Sequence, residues 1–507
     1  MLLETPAGLE SREASPQVRR RRAWRTIFSF PVVLAALLTV VTVFTVGGRF
    51  SDPDMWWHLK MGEIIWNTHS IPSVDVFSFT ANGHPWFAQE WLSQLTIYGA
   101  YKLGGNSGLM LWLCIAASLV VIAGYALCWL YSGNGKIAFL GALGIWFFAT
   151  IGFSIRPQLM GYLLLISELL ILYVGRSRDS RWFFVLPPLF ALWINCHSSF
   201  IFGLIVFAVV LFCSFLDFRA GLLISMRWEK RNRIALAASF AFSLAALFVN
   251  PIGPKLIWYP LDVTFKQRLN IITEWQPIPF DDVRAWALLG IAGLVLLLPL
   301  LRRVELRLEE LLLAALGFVL AVQHERMLFL FGILAAPALC RLLADTWDRY
   351  EPGRDHILPN AFLIALATAA VTLGFPSSRS LTEQVNKANP VKAVEFIERS
   401  GLSGRMLNEY LYGGYLIWAA PERKVFIDGR APRLYGRGED VYDPAGVLAD
   451  YTRFTSLNGD PKSILDKYRI DFLLLARDEP ITRLLPLISG WRKIYSDEQS
   501  AVFARQR

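Results

Sequence analysis

Residues 19–58 read RRRRAWRTIFSFPVVLAALLTVVTVFTVGGRFSDPDMWWH. Arg19 to Arg22, with Arg12 before them and Arg25 after, precede an apolar run from Ile27 to Val46 that holds no charged residue. About 20 such residues are what a helix needs to cross the hydrocarbon of a bilayer. The basic stretch in front predicts a cytoplasmic N-terminus. The run is longer than the roughly 7–15-residue core of a cleaved signal peptide, and no small-residue cleavage site follows it. It therefore reads as a retained anchor. Just beyond it stands Asp52-Pro53-Asp54, two carboxylates within a few residues of a membrane surface.

Working outward, the apolar run recurs. Candidate spans lie at 27–46, 109–131, 137–153, 159–174, 182–197, 200–217, 234–250, 285–301, 308–322, 327–343 and 358–375, eleven in all. Several are shorter than the ~20 residues of a perpendicular helix, and 182–197 with 200–217 also reads as a broken or re-entrant hairpin. With eleven crossings, loops on the side of the N-terminal tail carry 15 Lys or Arg, against 9 on the opposite side. That bias fits the rule that cytoplasmic loops are basic. Composition agrees: 54% of the 507 residues are apolar and 18% charged, with a mean hydropathy of +0.41. Soluble domains average about 25% charged and 45–50% apolar, so a soluble enzyme, a disordered chain and a fibre are all disfavoured. The net charge of +9 is read as loop topology rather than nucleic-acid binding. Cys114, Cys128, Cys196, Cys213 and Cys340 fall in apolar segments with no paired spacing, which indicates neither a disulfide framework nor a zinc site.

Three regions follow: a basic cytoplasmic tail (1–26), a transmembrane domain (27–376) with a long first external loop (49–108), and a wetter segment (377–507). In the last, an amphipathic helix is predicted over Val391–Arg399, and helical stretches near 411–418 and 461–468. Strand-like runs lie at Arg405–Leu407, Lys424–Ile427, Asp471–Leu475, Arg492–Tyr495 and Ala501–Ala504. This alternation predicts a C-terminal extracytoplasmic α/β domain.

The first external loop is dense in Trp, Asp, Glu and His. Asp52 and Asp54, with Pro53 fixing one φ between them, suit two kinds of chemistry. They can hold Mg or Mn together with substrate phosphates, or one can deprotonate an acceptor hydroxyl. The plainer alternative makes them caps of the following helix, with Trp56 and Trp57 as interfacial belt residues. His58 stands beside them as a contact for substrate or metal. Glu90 is either a second carboxylate reaching the pocket or a helix cap. Arg156 and Arg326, at span ends, suit bidentate phosphate binding or else snorkel to headgroups, Arg326 pairing with Glu325. Lys255, Lys266 and Arg268 lie in the 251–284 loop, and His197 and His324 at span ends read as hydrogen-bonded structural groups. Asp428 and Arg430 follow a strand-like run, where ligand groups commonly sit, or form a tight turn with an Asp–Arg pair. The sequence holds no P-loop, GxGxxG, GxSxG or HExxH pattern.

Asp52-Pro53-Asp54-Met55-Trp56-Trp57-His58-Leu59, with Gly62, Ile71-Pro72, Asp75, Phe77-Ser78, Pro85-Trp86 and Glu90-Trp91, resembles the first external loop of the GT-C superfamily of polyprenyl-phosphate-sugar glycosyltransferases. That superfamily includes the protein mannosyltransferases, the aminoarabinose lipid A transferase and the oligosaccharyltransferases. Within it, the likeness is to a bacterial group of unassigned substrate. Asn408-Glu409-Tyr410, Gly413-Gly414-Tyr415-Leu416-Ile417-Trp418 and Phe426-Ile427-Asp428-Gly429-Arg430 are similar to the same group's external domain. The Trp-Trp-Asp-Tyr-Gly motif of the oligosaccharyltransferases is missing.

The resemblance implies a GT-C-like membrane fold in a bacterial inner (plasma) membrane. It also implies an inverting transfer of a hexosyl or pentosyl group from a polyprenyl-phosphate donor to an extracytoplasmic glycan, lipid or protein. Asp52 or Asp54 would be the base or a metal ligand, with Mg or Mn as the cofactor if one is used. Trp56, Trp57, His58, Glu90, Arg156, Arg326, Asp428 and Arg430 would line the substrate site. Membrane lipids are the other expected partners. The competing readings are a transporter or flippase of lipid-linked sugars and a non-catalytic envelope-assembly protein. A transporter would show internal symmetry and paired mid-span charges, whereas here Glu168 is the main mid-span charge.

Overall fold

The structure is a computed structural model that describes residues 25–266, 275–430 and 446–506. Arg12, Arg19 to Arg22 and Arg268 lie outside the described residues, as does the side chain of Lys266. Helix α1 (Phe30–Val46) begins with a proline in its first turn, where the missing N–H has no intrahelical partner to lose. After α2 (Met55–Thr68), α3 (Trp91–Ser132) runs for 42 residues but breaks at Gly104 and Gly105. Gly105 sits at φ 56°, which glycine adopts without Cβ strain. The predicted span 109–131 is the part after this break, and Trp91 begins a separate helical arm that the sequence reading left inside the loop.

The chain continues through α4 (Gly135–Ala149), α5 (Gln158–Ser177), α6 (Leu186–Cys196) and α7 (Phe200–Phe215). A hairpin, β1 (Phe218–Ala220) and β2 (Leu223–Ser225), leads into α8 (Lys230–Ala246), α9 (Pro254–Lys266) and α10 (Val283–Arg302). Then come β3 (Leu306–Arg307), which pairs with β2, and α11 (Leu308–Gln323), α12 (Leu328–Leu342) and α13 (Ile357–Gly374).

Among the described residues, five helical stretches are long and apolar enough to cross a membrane: α3, Gly135–Gly152, α5, α10 and α13. The expected eleven are not reached by that measure, because several predicted spans fold as short helices. In α6, 11 α-helical residues at 1.5 Å each reach about 16 Å, roughly half the hydrocarbon thickness, and the 3-10 helix Ser180–Val185 that runs straight into it supplies the rest of the predicted span. His197 is extended (φ −164°, ψ 143°) and splits 182–217 into two short helices. Helices α1 and α7 are apolar but only 17 and 16 residues long. Helix α12 is enclosed almost throughout, packed by α11, α4 and α3. By contrast α13 leaves Leu358 and Leu373 more than four-fifths exposed, as an apolar helix facing lipid would. Glu168, in the middle of α5, is fully buried beside Gly203 of α7, where a Cβ would crowd its carboxylate.

The remaining chain forms α14 (Ser378–Ala388), α15 (Val391–Arg399), β4 (Met406–Asn408), α16 (Gly413–Ala419), α17 (Val447–Thr455), α18 (Pro461–Lys467), β5 (Phe472–Ala476), α19 (Pro480–Leu484), β6 (Trp491–Ser496) and β7 (Ser500–Arg505). The sheet order is β4-β5-β7-β6, with β4 parallel to β5 and the other pairs antiparallel. Lys424–Ile427 is not one of its strands. Val425, Phe426 and Ile427 are buried as the apolar pattern requires. Their backbone partners are elsewhere: Val425 N donates to Phe77 O (3.0 Å), Phe79 N to Val425 O (3.0 Å), and the Asn408 amide bonds Phe426 N and Ile427 O (2.8 Å each). The tail is thereby tied to the first loop.

The β6–β7 turn is organised by Asp497, whose carboxylate accepts from Ser500 N (2.7 Å), Gln499 N (2.9 Å) and the Tyr495 hydroxyl (2.8 Å). Burial pushes this carboxyl up, but these hydrogen bonds outweigh it and hold the group below its ordinary value. A lowered carboxyl value gives stability that is present above the unfolded value of about 3.9 and lost as pH falls through the folded value. Acid melting curves should therefore lose a step below about pH 4 in Asp497→Asn, and an unchanged curve would contradict the role.

Candidate active site

Pro53 and the start of α2 place Asp52 and Asp54 side by side against Arg156, which sits two residues before α5. Arg156 Nε donates to Asp52 Oδ2 at 2.6 Å, and Arg156 Nη1 lies 3.3 Å from Asp54 Oδ2. Asp54 is the helix N-cap residue, yet its side chain makes no capping bond. Its Oδ1 instead accepts from Trp57 Nε1 at 3.1 Å, while Asp52 Oδ1 accepts from Asp54 N at 2.9 Å. The capping alternative therefore does not describe Asp54, while Asp52 holds the backbone at the helix start. The Asp54 side chain is 22% exposed and that of Asp52 11%, so Asp54 is the more open carboxylate.

The C-terminal segment forms the wall opposite. A Cβ on Gly429 would run into Asp54 Oδ1, and one on Gly414 into the carbonyl of Pro53. Glycine here lets the tail backbone meet the acidic turn directly. Gly429→Ala should displace the Asp54 carboxylate by a fraction of an ångström to an ångström. Misplacement of that order costs about 10²-fold in rate. The check is activity measured against melting temperature, since a purely structural glycine would move both.

Trp56 and Trp57 are 3% and 4% exposed, so they are core residues rather than an interfacial belt. Trp56 packs edge-on to Tyr415 of α16 (5.3 Å) and Trp57 edge-on to Trp86 (6.3 Å). His58 Nδ1 lies 3.1 Å from Gln94 Nε2 and 3.9 Å from Glu90 Oε2, and His197 Nε2 lies 3.6 Å from Glu90 Oε1. Glu90 makes no side-chain capping bond and is 3% exposed. It joins two histidines.

Arg326 donates to Gln158 Oε1 at 3.0 Å, at the head of the same helix that Arg156 precedes, and lies over the Trp275 ring. His324 Nδ1 is 2.7 Å from Trp275 O. Lys255 lines a separate groove.

Asp428 and Arg430 are 0% and 1% exposed. Arg430 binds Asp428 through Nε and Nη2 (2.8 Å each) and Asp75 through Nη1 (2.7 Å). The guanidinium is sandwiched near Phe77 and Trp86, with ring centres at 4.8 and 4.9 Å. Of the two sequence readings, the Asp–Arg pair is the one seen, and Asp75 of the first loop adds a second carboxylate that makes it a buried strut.

Two carboxylates with substrate phosphates would satisfy Mg or Mn. In this arrangement the Arg156 guanidinium holds the position between Asp52 and Asp54. No group of three or more His, Cys, Asp or Glu is placed to hold a metal among the described residues. Asp52 and Asp54 would hold such an ion together with substrate phosphates, with Arg156 displaced from between them.

No protein-family model and no curated protein matches the sequence. Solved structures do. The apo crystal structure of the Archaeoglobus fulgidus oligosaccharyltransferase matches over 90% of this chain and 70% of that one, at 14% identity and a TM-score of 0.52. The oligosaccharyltransferase AglB of the same organism, in complex with an inhibitory peptide and a dolichol-phosphate, matches over the same shares at 13% identity and a TM-score of 0.52. The chain has the GT-C fold. ArnT from Cupriavidus metallidurans, in the apo state, aligns over 96% of this chain and 98% of that one at 14% identity, with a TM-score of 0.43.

The GT-C fold here brings together Asp52, Asp54, Trp57 and Arg156, with His58 and Glu90 nearby and Arg326 linked to the head of α5. It sets Asp428 and Arg430 apart as structure. Gln89, Gln94 and Asp75 belong to the same region of the GT-C fold but were not singled out as site residues from sequence. Only the crowding of polar residues into 75–94 pointed to them.

Proposed function

We propose that this chain is a membrane glycosyltransferase that moves a sugar from a polyprenyl-phosphate donor to an extracytoplasmic glycan, lipid or protein. The observation that carries the reading is the Asp52–Arg156–Asp54 constellation (2.6 and 3.3 Å), close to the end of an apolar helix and walled by Gly429. A general base and a fixed cation in one partly enclosed site suit displacement of a phosphate by a hydroxyl. Asp54, the more open carboxylate, takes the proton as the acceptor oxygen bonds to the anomeric carbon. The anomeric carbon–oxygen bond breaks on the opposite face, its electron pair leaving on the phosphate, so the configuration inverts. Arg156 stabilises the charge that develops on that phosphate, with Arg326 from the same end of the bundle. Asp52 orients Arg156. The transferred group is a hexosyl or pentosyl unit.

In this proposal the chain crosses a bacterial inner membrane eleven times, short helices included. The N-terminus is cytoplasmic, and 377–507 folds as an α/β domain on the side of the site. The test is transfer by the purified protein in detergent, from a radiolabelled panel of polyprenyl-phosphate sugars to cell-envelope extract, with and without EDTA. Label reaching the acceptor, and failing to do so in the Asp52→Asn/Asp54→Asn double variant, supports the enzyme. No transfer from protein shown to bind those lipids overturns it.

A further inference from the structure

A groove of about 1240 Å³ lies between the end of α2, the start of α3 and residues 251–259. Its walls carry the rings of Trp66, Trp86, Trp91, Trp258 and Tyr259, and Lys255 stands among them. Trp66 and Trp258 are 43% and 61% exposed. Behind Trp86, Phe87 and Tyr259, which it shares with the groove, is a second cavity of about 10 Å³ lined by Trp57, Gln89, Glu90 and Gln94. That is room for about one oxygen atom with its hydrogens. Trp57 lines this small cavity and also donates to Asp54, so its indole joins cavity and acidic pair.

Gln89 is 5% exposed, and neither its Nε2 nor its Oε1 has a hydrogen-bond partner among the described residues. Gln94 Oε1, 1% exposed, has none either. A buried amide left without partners carries its full desolvation cost, so its retention calls for an occupant that both donates and accepts: a water molecule, for which the cavity has room, or a ligand hydroxyl that replaces it. An isoprenoid chain offers neither function. A phosphate offers acceptors alone, and Gln89 has no cation at its side in this cavity apart from the carboxylate-bound Arg430. A pyranose offers hydroxyls that donate and accept, on a ring whose C–H face packs on indole.

We infer that this groove is a carbohydrate subsite. A pyranose ring lies against the exposed aromatic wall and sends one hydroxyl into the small cavity, where it donates to Gln89 Oε1 and accepts from Gln89 Nε2. The inference rests on the glycosyltransferase reading and names the part of the substrate that the groove takes. Its volume exceeds the roughly 300–1,000 Å³ of a site for one drug-sized ligand. The groove therefore has space for several rings, which favours the acceptor glycan over a single donor sugar.

The test is calorimetric binding to full-length wild type, Gln89→Leu and Trp258→Ala in detergent. One arm uses soluble tetrasaccharides of glucose, galactose, mannose and N-acetylglucosamine. The other uses short-chain polyprenyl phosphates with and without a glucosyl, galactosyl, mannosyl or aminoarabinosyl group. A probe in one arm is expected to bind wild type and to bind both variants roughly ten-fold more weakly, Gln89→Leu through the loss of one or two hydrogen bonds and Trp258→Ala through the loss of the ring face the sugar packs on. Response in the soluble arm assigns the acceptor, and a lost preference for sugar-bearing lipid assigns the donor. Equal binding to wild type and Gln89→Leu overturns the subsite, and so does absence of sugar-dependent binding in both arms. Gln89→Leu should melt at or above the wild-type temperature, because the amide has no partner to lose. A fall of several degrees would show that it has one, and would also overturn the inference. Transfer by Gln89→Leu with an unchanged KM removes the subsite and leaves the enzyme standing. Sugar binding without any transfer does the reverse.

Discussion

Asp54→Asn is expected to lower sugar transfer by about 10²–10⁴-fold, the span usual for loss of a general base, with the fold intact. The reasoning starts from what Asn keeps. It is nearly the same shape and still offers an oxygen to Trp57 Nε1, which lies 3.1 Å from Asp54 Oδ1. Arg156 retains its 2.6 Å bond to Asp52, so no charge is stranded. What disappears is the basic lone pair at the more open carboxylate. Asp52→Asn acts differently, because it releases Arg156 from its shorter bond and so blurs the position of the cation. It should weaken donor binding as well as turnover, whereas Asp54→Asn should spare binding. Initial rates with labelled donor, together with donor affinity for each variant, separate the two. If Asp54→Asn keeps more than a tenth of wild-type activity, another group takes the proton.

Arg430→Met is expected to destabilise the protein by about 3–5 kcal/mol, the range for removing one partner of a buried ion pair. Arg430 is 1% exposed and bonds two carboxylates that are themselves 0–1% exposed. Methionine fills part of the space between Phe77 and Trp86 but leaves Asp75 and Asp428 facing each other in a dry interior. Asp75 also accepts from Ser78 Oγ at 2.6 Å and so cannot turn away without breaking the first loop. Thermal unfolding and limited proteolysis of the purified variant measure the loss. Adding Asp75→Asn and Asp428→Asn to Arg430→Met should recover part of it, because the stranded charges are then gone. A loss under about 1 kcal/mol for Arg430→Met alone would show that the charges reach water.

The sequence made the membrane-embedded helices legible because long apolar runs have one physical meaning. Helix length was harder to read: α6 carries an apolar run, yet prolines at its start and the extended His197 stop it after 11 residues. The acidic pair was legible by position, beside an apolar run. Its partner was visible only as one of several cations at span ends, since nothing in Ile155-Arg156-Pro157 says which carboxylates it meets. The strut was half legible for the same reason: the Asp428–Arg430 pair could be read locally, its third member could not. Asp428-Gly429-Arg430 is a local pattern, whereas its meaning lies in Asp75, 355 residues before Arg430. Lys424–Ile427 has the right residues for a strand, but it bonds to the first loop and to an asparagine side chain instead of a neighbouring strand. Gln89 had no signal of its own beyond the polar crowding of 75–94, because a glutamine in a polar loop has the same pattern whether or not its amide is satisfied.

The strut also sets a timetable for biogenesis. At the roughly 5–20 residues per second of synthesis, the 355 residues separating Asp75 from Arg430 take about 20–70 seconds to emerge. For that interval the nascent first loop holds a carboxylate destined for complete burial, with no counter-charge, and Gly429 is not yet there to back Asp54. The acidic turn therefore stays wet and unshaped until 430 of the 507 residues have been made. A ribosome stalled before residue 430 leaves behind membrane-inserted helices without an assembled site, so an unfinished chain is inert by construction.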